Sequence, residues 1–223
     1  MKIIVTTSNK YLHLIPIFTY LFNKNWDKHQ EVEIVGYDKP DFDLPSNFTF
    51  YSLGEQIGNA KNFSTDLSSY FKKQEEWFIW MMDDTFIRFV DFEKLKLLKS
   101  LTQIKNAGRI NLCSRATFLQ DNFKSELFFD DYKIFENTQT ALYRLCTQPS
   151  IWNKNFLLKY LTPDLTPWEF ETQDSFNDEF RIFGIEEDVV LHNEGVTKHN
   201  IYDYNLNNIE EDQITELKNL NYI

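Results

Sequence analysis

The sequence predicts an α/β fold with a mostly parallel central sheet. Three observations carry that expectation. Apolar runs of strand length alternate with segments of helical spacing through the first half of the 223 residues. The run Trp77–Met82 (WFIWMM) is apolar without a break, the pattern of a strand buried on both faces. Only 6 Gly and 6 Pro occur, too few for low complexity or a long linker, so one domain is expected.

Taken in order, Lys2–Thr7 (KIIVTT) reads as a short buried strand ending in hydroxyls. Tyr11–Phe22 places Leu12, Ile15, Phe18 and Phe22 at helical spacing. Glu31–Tyr37 is a second strand and Phe48–Leu53 a third, stopped by Gly54. Ser64–Phe71 reads as helix, and Trp77–Met82 as the central strand, followed by a loop TFIRFV. Asp91 suits the N-cap of a helix with Leu95, Leu98, Leu101 and Ile104 on one face, and Gly108 suits its C-terminal end. Ile110–Cys113 is another strand. In the less regular second half, Leu127–Phe135 and Ala141–Thr147 read as strands, Ser150–Leu161 and Trp168–Phe180 as helices, and Val189–His192 as a last short strand. Residues 1–115 form the more regular half of the chain and 116–205 the less regular half. The polar tail 206–223 reads as a peripheral helix with a solvated charged face.

Composition narrows the class. A chain of this length buries roughly 70% of its unfolded surface and needs no disulfide scaffold. Cys113 and Cys146 therefore read as buried free thiols of a reducing compartment. The net charge of −11 opposes loose binding to nucleic acid or anionic lipid, both of which depend on basic patches. It leaves room for a local site where a divalent cation neutralises phosphates. No signal peptide and no run of about 20 apolar residues is present, so a cytoplasmic protein without a membrane span is expected. Nothing locates an oligomer contact.

The central strand ends on Asp83–Asp84. Two adjacent carboxylates at the end of a buried strand repel each other unless something positive lies between them. Ligands of open α/β sheets bind at the carboxyl ends of strands. Adjacent strand side chains point to opposite faces, so joint chelation requires a turn beginning there. Oxygen ligands completed by water and substrate phosphates describe a Mg2+ or Mn2+ site. The alternative is an ordinary turn, with one Asp bonding backbone amides. Thr6–Asn9 (TTSN) ends the first strand and Gly36–Tyr37–Asp38 the second. If the three strand ends share one sheet edge, they line a crevice with hydroxyls, an aromatic ring and three carboxylates, a surface suited to a nucleotide.

With those segments in view, the chain resembles small GT-A-type glycosyltransferases of the bacterial capsule and lipopolysaccharide kind, also found in large viruses. The matching pieces are IIVTTSNKYLHL, EVEIVGYDKP, FSTDLSSYF, WFIWMMDDTFIRFVDFEKL, YRLCTQPSIWNKNFLLKYL and TPWEFE, which span residues 1 to about 175. The resemblance implies a single GT-A-like, Rossmann-like nucleotide-binding domain over residues 1–223, with 1–115 as its nucleotide-sugar-binding half and 116–205 as its acceptor-side half. It also implies a nucleoside-diphosphate sugar donor, a Mn2+ or Mg2+ ion held by a DXD-type acidic motif, and transfer to a hydroxyl acceptor such as a glycan. Carried over by position, Asp84 becomes the direct metal ligand, and Asp83 touches the metal or the donor ribose. Thr6, Thr7, Ser8, Tyr11 and Asp38 hold the nucleotide. MetAspAspThr departs from a strict Asp-x-Asp, so the roles of the two aspartates are open to exchange. Gln148 in QPSIW falls on the acceptor side, whereas Trp152 has the helical spacing of a core residue. His199 is offered as a late metal or phosphate contact; the alternative is a surface histidine.

An inverting transfer needs a base for the acceptor proton. TPWEFE offers two glutamates. Thr166 as N-cap, Pro167 at the first helical position and Glu169 three residues after the cap form a capping box, which gives Glu169 a structural role. Glu171 lies beyond it and reads as free to act as base, with Trp168 as an aromatic platform for a sugar ring. The alternative for Glu171 is a salt-bridged residue on a helix face. At the level of the whole chain, the alternative is a non-catalytic sugar- or partner-binding protein that keeps the fold. A nucleotidyltransferase fits less well, because no Gly-rich basic loop follows the first strand. A phosphatase also fits poorly, because the aspartates stand mid-chain.

Overall fold

A computed structural model describes residues 1–56, 62–118, 123–129, 132–175, 178–197 and 200–223. The chain is α/β and forms two compact units, each drawn from separated stretches. One unit takes residues 2–56, 81–90 and 190–223; the other takes residue 1 and the described parts of 57–80 and 91–189.

The first unit opens with β1 (Ile3–Thr6), all four residues buried. A 3-10 turn over Asn9–Leu14 leads into α1 (Ile15–Asn25). The helix expected from Tyr11 thus becomes α-helical only at Ile15. The reason is Pro16, which has no N–H for the preceding turn and a ring that crowds its carbonyl, but which suits the first turn of a helix. β2 (Val32–Gly36) and β3 (Phe48–Ser52) follow. Both pair in parallel: Ile3–Thr6 lie beside Val32–Val35, and Val32–Gly36 beside Phe48–Ser52. Gly54 ends this run at φ 99°. The buried face of α1 packs its aromatics together, with Phe22 stacked on Trp26 at 5.3 Å and edge-on to Phe48 at 5.5 Å.

In the other unit, α2 (Phe63–Phe71) precedes β4 (Trp77–Met82), whose last two residues belong to the first unit. The expected loop TFIRFV is instead β5 (Thr85–Val90) of the first unit. Its Phe86, Ile87 and Val90 are buried, so its β-branched and aromatic residues fill a core. α3 (Phe92–Ser100) is capped by Asp91, which accepts from the Lys94 amide, as its sequence predicts. Gly108 does not end that helix. It lies inside β6 (Ala107–Asn111), where a Cβ would stand 2.9 Å from the Phe156 ring, and the left-handed residue before it is Asn106, at φ 62°.

α4 (Ser114–Phe118), β7 (Phe123–Phe129) and β8 (Tyr132–Asn137) follow. Ala141–Thr147 is not a strand but a series of turns. Tyr143 takes φ 53°, and Arg144 turns inward to a fully buried ion pair with Asp178 at 2.7 Å. The helix expected from Ser150 is split into β9 (Ser150–Asn153) and α5 (Lys154–Tyr160), because Asn153 caps α5 through the amides of Asn155 and Phe156. α6 (Pro167–Thr172) stops before the expected Phe180: Gln173 is extended and its side chain bonds the carbonyls of Phe170 and Tyr160. β10 (Arg181–Ile185) completes this unit. Within it β9 lies antiparallel between β4 and β6, β6 runs parallel to β10, and β8 runs antiparallel to both β10 and β7. Trp80, Trp152, Phe170 and Phe71 form its aromatic core.

The first unit closes with β11 (Val190–Glu194), β12 (Val196–Thr197), β13 (Asn200–Tyr204) and α7 (Glu211–Asn219). β11 pairs antiparallel with β5, and β12 with β13. The tail is helical as expected. It also contributes Leu217 to a core with Leu14, Ile17, Leu21, Phe86 and Ile209, and Glu216 to Tyr20 and Lys24. Both cysteines are buried thiols outside any disulfide. No helix among the described residues is long and apolar enough to cross a membrane.

Candidate active site

The acidic pair occupies the turn between β4 and β5. The Asp83 amide donates to the Thr6 carbonyl at 3.2 Å, which sets the turn at the carboxyl end of β1. That is the sheet edge the sequence pointed to. Asp83 is only 3% exposed and its Oδ2 accepts from the Thr7 hydroxyl at 2.5 Å. Thr7 is itself fixed. Its amide donates to Val35 at 2.9 Å, and Gly36 abuts its methyl, where a Cβ would stand at 2.6 Å. Asp84 is half-buried, and its carbonyl accepts from the Gly195 amide at 2.5 Å.

Burial, then the neighbouring Asp84 charge, pushes the Asp83 carboxyl well above the ordinary carboxylate range; the Thr7 hydroxyl and the backbone N–H groups of the turn oppose the shift. This bears on the ion that the resemblance implies. Mg2+ and Mn2+ are held by one or two carboxylates and complete their shell with water and substrate phosphates. A buried carboxyl crowded by a second one, and bonded by a neutral hydroxyl, is where a cation would relieve the repulsion. The residues present fit such an ion. No group of three or more His, Cys, Asp or Glu side chains able to hold a metal occurs among the described residues, and His199 lies outside them.

The other nucleotide candidates divide by exposure. Thr6 is buried with its hydroxyl on Met82 Sδ at 3.1 Å, so its side chain serves the strand end. Ser8 precedes the 3-10 turn and accepts the Tyr11 amide through its carbonyl at 2.9 Å. Tyr11 is half-buried, with Lys10 Nζ 5.2 Å from its ring centre. Asp38 is exposed at the end of β2 and makes a reciprocal pair with Asn9. Asn9 Nδ2 donates to Asp38 Oδ2 at 2.6 Å, and the Asp38 amide donates to Asn9 Oδ1 at 3.0 Å. The Asn9 amide in turn donates to Gln56 Oε1 at 3.1 Å. In the sequence Asn9 and Gly36 stood out only as members of the two strand ends, with no role of their own, and Gln56 and Gly195 did not stand out. The two glycines were visible in EIVGY and NEGVT, but their neighbours are distant in sequence.

In the other unit, Thr166 and Glu169 form the expected capping box, with both reciprocal bonds made. Trp168 is 74% exposed, a free ring face on α6. Glu171 is half-buried and not free. Its Oε1 accepts from the Thr147 amide at 2.5 Å and from the Thr147 hydroxyl at 2.6 Å. Gln148 is half-buried with Oε1 4.0 Å from the Cys113 thiol. Trp152 is fully buried, the core residue its spacing indicated. Beneath this segment lies Arg109, fully buried, its guanidinium 4.9 Å from the Trp152 ring centre and its pKa pulled down by desolvation.

No family model matches the sequence, and no curated protein matches it. Solved structures do. A mannosyltransferase from Pyrobaculum calidifontis, PcManGT, in complex with GDP-Man and Mn2+, aligns over 88% of this chain and 57% of its own at 14% identity and a TM-score of 0.51. S. aureus TarS 1-349 aligns over 85% of this chain and 58% of its own at 15% identity, also with a TM-score of 0.51. The chain thus spans less than two thirds of the length of either. At these identities the likeness concerns the fold, and this chain has the GT-A-like, Rossmann-type α/β fold.

Proposed function

We propose that this chain is a metal-dependent glycosyltransferase that moves a sugar from a nucleoside-diphosphate sugar to a hydroxyl acceptor of a glycan, with inversion. One observation carries the reading: on this fold, the Asp83–Asp84 turn stands at the carboxyl end of β1 with Asp83 oriented by Thr7. The GDP-Man and Mn2+ bound in PcManGT support the same donor and ion class.

Asp84, the more exposed of the pair, would hold Mn2+ or Mg2+, with Asp83 behind it on the ion or the donor ribose. Bound there, the ion supplies Lewis-acid stabilisation of the departing diphosphate. Exposed Asp38 and half-buried Ser8 and Tyr11 present contacts for the nucleotide, and Thr6 and Thr7 shape the strand end beneath it. Glu171 takes the acceptor proton, Trp168 offers its ring to a sugar face, and Gln148 lies on the acceptor side. His199 is kept as a candidate late contact.

A second reading has an observation of its own. Asp83 Oδ2 and Glu171 Oε1 are both satisfied within the protein, as they would be in a non-catalytic sugar-binding chain. Thermal stability against UDP, GDP, dTDP and CMP, each with and without Mn2+, tests the proposal. A nucleotide at 100 times its dissociation constant adds about 2.7 kcal/mol, or roughly 5–11 °C for a chain of this size. The expected result is a shift with one nucleotide that requires Mn2+ and is lost in Asp84→Ala. No shift with any of the four overturns the transferase reading. A shift without hydrolysis or transfer of the matching sugar nucleotide favours the binding protein.

A further inference from the structure

We propose that Thr147 is a positioning residue that clamps one oxygen of Glu171 and leaves the other for the acceptor proton. This inference rests on the reading of Glu171 as base.

Residues 141–149 are turns, and turns hold a side chain still only when they are tied down. Here the ties lie on both sides of Thr147. Arg109 donates through Nη1 to the carbonyl of Arg144 at 3.0 Å and, more weakly, to that of Tyr143 at 3.4 Å; its Nε donates to Ser150 Oγ at 3.1 Å. Ser150 Oγ then donates to the Gln148 carbonyl at 2.9 Å. The Cys146 amide closes on Tyr143 at 3.0 Å, and the Leu112 amide reaches Pro149 at 3.0 Å. A charged group with its whole side chain buried costs desolvation, so these bonds must be retained for the guanidinium to remain there.

From that cradle Thr147 directs both of its donors at a single atom. Its amide and hydroxyl reach Glu171 Oε1 at 2.5 and 2.6 Å. A solvated glutamate turns about three side-chain bonds and gives up that rotamer freedom when fixed. Two short donors on one oxygen fix the chain and the plane of the carboxylate together. No hydrogen bond to Oε2 occurs among the described residues. The two oxygens thus have separate duties: Oε1 is the anchor and Oε2 the proton acceptor. In the transfer step the acceptor O–H gives its proton to Oε2 and the freed oxygen lone pair bonds to the anomeric carbon. The bond from that carbon to the diphosphate oxygen breaks, with its electrons leaving on the diphosphate.

The hydroxyl can be removed without disturbing the backbone amide, which gives the test. Thr147→Val keeps the shape and loses the donor; Thr147→Ser keeps the donor and loses a methyl. Both are compared with the wild-type protein and Glu171→Gln in turnover of UDP-, GDP-, dTDP- and CMP-sugars with Mn2+. Thr147→Val is expected to lower kcat by about 10–100-fold with the donor KM unchanged, as a misplaced catalytic group does. Thr147→Ser is expected to stay within about threefold of wild type, with the Tm of both variants close to wild type. The Thr147 amide proton, read by NMR, is expected to move upfield in Glu171→Gln. Unchanged kcat in Thr147→Val, equal loss in Val and Ser, or an amide shift that ignores Glu171→Gln overturns the clamp. A fully active Glu171→Gln with the amide shift present overturns the base assignment instead. Absence of wild-type turnover with all four donor classes overturns the transferase reading itself.

Discussion

The Asp83 carboxyl is buried, stands next to the Asp84 charge and accepts from the Thr7 hydroxyl, and the first two effects outweigh the third. The consequence for stability follows from proton linkage. In the unfolded chain Asp83 loses its proton near its ordinary value of 3.8, whereas the folded chain holds it to a higher pH. Between those values the native state binds more protons than the unfolded state, so stability falls as pH rises. The metal-free wild type therefore loses stability from about pH 4 upward, through the raised folded value. Asp83→Asn removes that loss. Denaturant melts from pH 4.5 to 8 without metal are expected to show the variant more stable than the wild type at pH 8. The difference should shrink toward pH 4.5, and Mn2+ should narrow it by stabilising the wild type more than the variant. A variant less stable at every pH would mean that the charged bond to Thr7 outweighs burial. A buried carboxyl that destabilises the metal-free fold is consistent with the proposed ion site, since functional sites trade stability for activity.

At the scale of elements, β11 and the residue after it brace the acidic turn. The register sets Glu194 opposite Thr85, so Gly195 arrives beside Asp84, donating to its carbonyl and accepting from the Asn205 amide at 3.0 Å. A Cβ on Gly195 would stand 2.7 Å from the Phe86 ring, itself fully buried, and 3.0 Å from the Asp84 carbonyl oxygen. Gly195→Ala is therefore expected to cost about 1–3 kcal/mol, the range for overpacking, measured as a lowered denaturant midpoint with an unchanged slope. An unchanged midpoint would show that Phe86 yields without cost. This brace also marks where sequence reasoning stops. The caps at Asp91 and Thr166 were legible because their chemistry is complete within four residues. β5 and β9 were not. Thr85–Val90 is a strand because Val190–Glu194 lies beside it, and Ser150–Asn153 because Trp77–Trp80 and Arg109–Asn111 flank it. Helical spacing was real in Phe156 and Tyr160, but Asn153 divides them from Trp152. A local pattern does not report a partner far along the chain.

Across the whole molecule, the class and the acidic edge were legible for the same reason: uninterrupted apolar runs declare buried strands, and polar residues at their carboxyl ends declare the edge. Thr147 at Glu171 and Gly195 at Asp84 were not, since each contact depends on how the chain returns. Charge is the other property the composition states for the whole chain. With Asp+Glu 34 against Lys+Arg 23, the net charge is −11, and the compact state repels itself more than the expanded one. A solvent-exposed ion pair contributes little, as in Lys24 with Glu216, with side-chain exposures of 42% and 46%. Repulsion between distant carboxylates should therefore dominate the salt response. The screening length falls from about 30 Å at 0.01 M salt to about 8 Å at 0.15 M. Metal-free protein at pH 7.5 is expected to gain about 1 kcal/mol over that range, a rise in Tm of roughly 2–4 °C. A falling Tm would mean that the paired charges outweigh the unpaired excess. The same excess acts on any anionic ligand: a diphosphate approaching a chain of this charge is repelled until a cation accompanies it. On the proposed function, added salt alone should therefore raise Tm without bringing a nucleotide on, and Mn2+ should do both.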